Sequence, residues 1–229
     1  MNTLKIYGFS GKLGVGKNYV AEKIFGKKLY QKGYNIHILA FGDLVKYEMG
    51  SRFKKIENNL IYEMTKVYEE LFINKSAETR DKLQFYGTNY CRNGENWKIK
   101  DNFTMYNEPD IWIKGLLLQI NTILERSYDD SKDIFIITDV RFKNEAEFIK
   151  KLGGKIIKID APIRNYNKLL SEAMKTFESE KDINNCIKRI KNHSSETDLD
   201  TYIFDYIIAN DINNENNMSI IDDLLNMIK

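Results

Sequence analysis

Cysteine and histidine are almost missing from this chain, with two of each among 229 residues. Cys91 and Cys186 lie far apart and show no metal-ligand spacing. That excludes a disulfide scaffold and a cysteine-based metal module, and it suits a reducing compartment. His37 and His193 do not complete a metal pattern with them. An excess of charge is lacking too: 35 Lys and Arg stand against 33 Asp and Glu, a net of +2. So small a surplus argues against general nucleic-acid binding, although a local group of cations can still hold phosphate. No window is apolar enough to span a bilayer. The N-terminus runs straight into a strand-like stretch, so no signal peptide is expected, and the expected location is cytoplasmic.

What is present is enough apolar sequence, 42%, for a sizeable core in one domain with an insertion. The abundance of Asn, Ile and Lys suits an A+T-rich genome and says nothing of mechanism. Short β-branched runs predict strands over residues 4–9, 35–41, 134–139 and 155–160, and a fifth over 204–210. Helical period is read over 17–31, 60–72, 79–92, 111–126, 143–152, 169–191 and 219–228. Strands alternating with helices predict a parallel sheet covered on both faces. Gly153-Gly154 stops a helix just before a strand. Residues 93–109 and 210–217 are polar and read as loops.

"GKLGVGKN" follows the first predicted strand and opens the first predicted helix. The order matters chemically. Glycines let backbone N–H groups turn inward around an anion, the helix N-terminus adds its dipole, and a lysine reaches the outer phosphates. Gly11, Lys12, Gly14, Val15, Gly16, Lys17 and Asn18 are therefore candidate ATP-phosphate ligands. Asn18 stands where a Mg²⁺-binding hydroxyl usually follows the lysine, and Tyr19 offers only a phenol. An amide oxygen can serve the metal, or water and phosphates can. "IFIITDVRF" ends a buried strand with Asp139 and then Arg141. The C-terminal ends of strands are where open α/β sheets bind ligands. Asp139 is thus a candidate for holding Mg²⁺ through water, with a helix cap as the other reading, and Arg141 a candidate phosphate clamp.

Several stretches, in order and spacing, resemble the deoxynucleoside monophosphate kinases of phages and large DNA viruses. They are "GKLGVGKNYVAEKI", "LAFGDLVKYEM", "TRDKLQFYGTNYCR", "IWIKGLL", "ITDVRFKNEAEFIKKLGGKIIKI", and "HSSETDLD" followed by "FDYIIAND". The resemblance implies an α/β fold like that of P-loop nucleoside monophosphate kinases. A parallel five-stranded sheet would be flanked by helices, in a single domain 1–229. A helical acceptor-binding insertion would span 42–128 and a lid 161–195. It implies ATP and Mg²⁺ as cofactors, with Lys17 and Arg141 in the catalytic roles. For the acceptor it implies Asp43, Arg80, Gln84, Arg92, Trp112, Arg141 and Glu196, and a deoxynucleoside monophosphate as the phosphate acceptor. Trp112 equally suits core packing, and Glu196 a capping box. Arg80 and Gln84, four apart, share a helix face; Arg92 returns to it only if the helix persists past Gly87. Ala161 stands where relatives carry an arginine, which leaves Arg164 as the lid candidate. Partners would be small molecules rather than membrane or stably bound nucleic acid, with a homodimer among the assemblies allowed. The location would be host cytoplasm or a viral replication compartment.

Phosphoryl transfer asks the protein mainly for positioning and charge stabilisation. A phosphate oxygen is already anionic, so no general base is required, in keeping with the absence of a convincing catalytic histidine. Two rivals stand beside this reading. The phosphomevalonate kinases of animals share the layout, and a P-loop regulatory or nucleic-acid-linked ATP-binding protein would need no acceptor.

Overall fold

The computed structural model describes residues 4–53, 71–72, 77–94, 108–129, 132–211, 221–222 and 224–226. Most of the helix expected over 60–72, of the loop over 93–109 and of the loop over 210–217, and half of the helix over 219–228, lies outside them.

Five parallel strands form one sheet in the order β2-β3-β1-β4-β5. They are β1 (Lys5–Ser10), β2 (Asn35–Leu39), β3 (Asp133–Val140), β4 (Lys155–Asp160) and β5 (Tyr206–Ala209). This is a parallel α/β sheet flanked by helices, with the glycine-rich loop leaving its middle strand. β1 pairs with β3 on one side, Ile6 opposite Phe135, and with β4 on the other, Phe9 opposite Ile157. A strand flanked and covered on both faces must be apolar throughout. Accordingly Ile6, Tyr7, Phe9 and Ile134 to Ile137 are buried, while the edge strands β2 and β5 keep exposed positions such as Ile38 and Ile207. The run expected over 35–41 stops at Leu39, because Phe41 instead opens a helix and buries its ring there.

The chain divides into two compact units, Met1–Ala40 with Gln119–Lys229, and Phe41–Leu118. In the first, the helical run after the loop, α1, is π-helical over Tyr19–Gly26 and α-helical over Lys27–Gln31. It packs Phe25 against the rings of Tyr7 and Phe9, at 5.1 and 5.6 Å between centroids. Burying one such ring contributes about 2–3 kcal/mol. His37 on β2 pairs with Asp133 at 2.9 Å and stacks on Phe135, a structural role at the strand edge. After β3 comes α5 (Lys143–Lys151), and after β4 come α6 (Pro162–Met174), α7 (Glu180–Lys191) and the one-turn α8 (Ser194–Thr197). The single helix expected over 169–191 is two. Ser179 breaks it by accepting the Asp182 N–H at 3.1 Å, a side-chain cap that starts α7 afresh. Leu169, Ala173 and Ile187 form a small core between α6 and α7, and Leu13 of the loop packs against it.

In the second unit, α2 (Phe41–Phe53) and α3 (Ala77–Gln84) are described, the latter continuing as π-helix over Phe85–Tyr90. The helix α4 (Ile111–Arg126) begins in this unit. Buried Trp112 donates its indole N–H to the Gly87 carbonyl at 2.9 Å.

Candidate functional site

The loop leaves β1 at Ser10 and turns into α1, where the Val20 N–H donates to the Gly16 carbonyl at 3.0 Å. Between them Gly14 has φ 78° and Gly16 φ 89°. Side chains other than glycine rarely adopt those values, so the glycines are required by conformation. Lys17 folds back over the loop and is only 7% exposed. Its ammonium donates to the carbonyls of Gly11 at 2.7 Å and Lys12 at 2.9 Å. Burial, then the neighbouring Arg141 charge, lower its pKa from 10.5 to about 7, against the opposing pull of Glu196 and Asp139. The loop therefore holds a desolvated cation that an incoming anion would compensate.

Arg141, just past the end of β3, donates from Nη1 to Glu196 Oε1 and, at 3.4 Å, to the Ser195 carbonyl. Desolvation works against its charge, but Glu196 and Asp139 outweigh it and hold its pKa above the ordinary value. The turn that aims it is fixed by buried Glu145, which accepts the N–H groups of Arg141 at 2.8 Å and Phe142 at 3.1 Å. Phe142 holds the N-cap position of α5, so the reading of Asp139 as a helix cap is not what the structure has.

Glu196 likewise does not cap its own helix. His193 does that, its Nδ1 accepting the Ser195 N–H at 3.2 Å. The Glu196 carboxylate instead reaches the loop, where Oε2 accepts the Leu13 N–H at 3.0 Å. Lys12 binds the same segment, donating to the Glu196 carbonyl and to Asp200 Oδ1. The structure thus gathers Lys12, Lys17, Asp139, Arg141 and Glu196 around the loop.

Arg164 stands on the first turn of α6, whose opening N–H groups at Ile163 and Arg164 are accepted by Asp211 at 3.0 and 2.9 Å. Its guanidinium donates to the Asn210 carbonyl at 3.4 Å. Three residues on this flank, Asn165, Asn210 and Asp211, were not among the sequence candidates. The only sequence signal was a polar break, "AND", directly after an apolar strand.

Asn18 turns its amide NH₂ toward Glu22 Oε1 at 3.4 Å, and Tyr19 is exposed. Among the described residues no three His, Cys, Asp or Glu side chains gather as a metal site. A magnesium ion that keeps several waters and binds substrate phosphates asks for one or two protein oxygens. Asp139, whose charge acts on both Lys17 and Arg141, and the Asn18 amide oxygen fit that demand.

The remaining candidates belong to the second unit. Asp43 pairs with Lys46 in the first turn of α2. Arg80 and Gln84 lie half-buried on α3. The helix does persist past Gly87, but as π-helix, and it gives way to a turn at Cys91. Buried Arg92 donates from Nη1 to the Pro109 carbonyl at 2.9 Å. Trp112 serves packing here, its ring 6.5 Å from that of Tyr86.

No family model matches the chain. A protein of Acanthamoeba polyphaga mimivirus named "Putative deoxynucleotide monophosphate kinase" is 70% identical over 27 residues, which are 12% of this chain and 14% of that protein. The match therefore spans about one-seventh of that relative's length. Among solved structures, Chaetomium thermophilum Kti12 in complex with ADP-AlF3 aligns at 10% identity and a TM-score of 0.45, over 98% of this chain and 99% of that one. The Mycobacterium tuberculosis APS kinase CysC, in complex with AMPPNP and APS, aligns at 13% identity and a TM-score of 0.45, over 97% and 98%.

Proposed function

We propose that this protein is a phosphotransferase that moves the γ-phosphate of ATP onto the phosphate of a deoxynucleoside monophosphate, giving the diphosphate used for DNA synthesis. The observation that carries the donor half is the loop itself, with Lys17 buried behind it and Arg141 held beside it by Glu196. The acceptor half is supported by the motif resemblance and by the short mimivirus match.

In this reading the loop amides from Gly11 to Asn18, apart from the Leu13 N–H that Glu196 takes, cradle the donor phosphates, and Lys17 spans the outer two. Lys17 and Arg141 offset the charge that spreads over the transferred group. The acceptor phosphate oxygen attacks in line, with no proton to remove. Asp139, through water, and Asn18 would hold Mg²⁺, which when bound supplies further charge neutralisation on the phosphates. Arg80 and Gln84 on one face of α3, with Asp43 and Arg92, are assigned to the acceptor side, and Trp112 packs behind them against Tyr86. Arg164 is assigned to the donor side.

The test is an ADP-release assay with ATP and Mg²⁺ against a panel of deoxynucleoside monophosphates, phosphomevalonate, DNA and RNA. Turnover is expected only with one or more of the monophosphates. Turnover with phosphomevalonate alone, or ATP hydrolysis stimulated by nucleic acid, would replace this reading with one of its rivals.

A further inference from the structure

A loop that binds phosphate through its backbone needs its peptide groups turned one way. A peptide unit is a rigid plane whose C=O and N–H point in opposite directions. Holding one carbonyl outward therefore aims the next residue's N–H the other way. Two carbonyls of the glycine-rich loop are held in this manner, and by side chains from different elements. Asn165, on the first turns of α6, donates its amide to the Leu13 carbonyl at 2.7 Å. Asn210, the residue after β5, donates to the Val15 carbonyl at 2.8 Å. The planes they fix are Leu13–Gly14 and Val15–Gly16. The N–H groups so directed belong to the two glycines with φ 78° and 89°.

We infer that Asn165 and Asn210 are positioning residues that preset the phosphate loop, turning the Gly14 and Gly16 N–H groups toward a bound polyphosphate. The inference rests on the donor-site reading above and deepens it. The side chains are themselves held in place. Asn210 is tied to β4 through its own N–H, which donates to the Asp160 carbonyl at 2.7 Å. Asn165 sits on a helix whose first turn is capped by Asp211. The approach is also very close. A Cβ at Gly16 would lie 2.6 Å from Asn210 Nδ2, and one at Gly14 would lie 2.5 Å from Lys168 Cβ on α6. Glycine is thus demanded from outside the loop as well as by its dihedrals. A third plane, Lys12–Leu13, is fixed from both ends. Lys17 takes the Lys12 carbonyl and Glu196 the Leu13 N–H. Preorganised donors lose less entropy on binding an anion, and they need not first exchange their direction with water.

Asn165→Leu and Asn210→Leu keep the branched shape and drop the donor. The full chain and its variants are titrated with ATP and with inorganic tripolyphosphate by calorimetry, and steady-state kinetics give KM and kcat separately. Each variant is expected to bind both ligands about fivefold more weakly, in line with one lost hydrogen bond. The double variant should lose clearly more than either. KM for ATP should rise while kcat at saturating ATP stays within about threefold, a split that general loosening of the fold would not produce. Near-wild-type affinity in the double variant overturns the inference. So does a loss confined to thermal stability, with the folded protein binding tripolyphosphate normally. If the unaltered protein fails to bind ATP, the donor-site reading falls; if it binds and the variants bind equally well, only the inference falls.

Discussion

Replacing Lys17 by methionine tests the charge economy of the loop directly. The folded protein holds Lys17 at a pKa of about 7, chiefly through burial and secondly through Arg141. An unfolded chain returns it to about 10.4. A difference of roughly 3.5 in pKa corresponds to about 5 kcal/mol of cost for keeping the ammonium charged in the fold. Below pH 7 both states are protonated and the whole cost is present. Between pH 7 and about 10.5 the unfolded state binds the extra proton, so stability rises with pH. Relative to Lys17→Met, the wild type should gain up to about 1.4 kcal/mol per pH unit over that window, or about 3 kcal/mol by pH 9.5. At pH 6 the methionine variant should be the more stable. Its advantage falls short of the full cost because the Gly11 and Lys12 carbonyls lose their donor, at about 1 kcal/mol or more each. Denaturant melts of both proteins from pH 6 to 9.5, at fixed ionic strength, give the difference with all other titrations cancelled. Parallel curves would refute the reasoning. The same charge should reappear on binding: at pH 8 a polyphosphate over Lys17 restores its proton, so ATP binding takes up close to one proton. Calorimetry in buffers of different ionisation enthalpy measures it.

Two other substitutions probe the same site. Gly16→Ala forces a Cβ to within 2.6 Å of Asn210 Nδ2 at φ 89°; it should weaken ATP binding at least tenfold, the effect of about 1.4 kcal/mol of strain or more, and normal binding would mean that the loop reshapes freely. Arg141→Ala should lower kcat by about 100-fold, as for loss of one charge-stabilising donor; Arg141→Lys should restore little, because the planar fork that bonds Glu196 is lost, and full activity in the lysine variant would show that charge alone suffices.

The central strands were legible because burial on both faces favours apolar residues, so β3 carries the run Ile134–Ile137 and β4 the pair Ile156–Ile157 with Ile159. The loop was legible because its chemistry is local, with glycines, lysine and helix in one stretch. Other features depend on partners far along the chain. Asp211 caps α6 across 47 and 48 residues. Glu196 reads locally as part of a capping box, and only the fold turns its carboxylate to Leu13. Ser179 hides a helix break inside an unbroken helical period. The π-helical turns after Asn18 and Gln84 have no marker in composition. Arg80 and Gln84 could be placed on one face from spacing alone, whereas Arg92 could not, because its position depends on how the helix continues past Gly87.

Among the described residues, the side chains that hold the loop's backbone at Leu13 and Val15 from outside it are Asn165, Glu196 and Asn210. The bonds to Leu13 span 152 and 183 residues, and the one to Val15 spans 195. β1 is no better served locally, since its partners begin at Ile134. During synthesis, then, the glycine-rich stretch is made well before the segments that give it its working shape. At typical elongation rates several seconds or more separate the two events. Until residue 210 has emerged and docked, the nascent chain carries the full phosphate-binding motif and no shaped phosphate site. A prematurely ended chain should be silent rather than a half-active nucleotide sponge. Nucleotide added during refolding should act late, stabilising the finished sheet rather than seeding it.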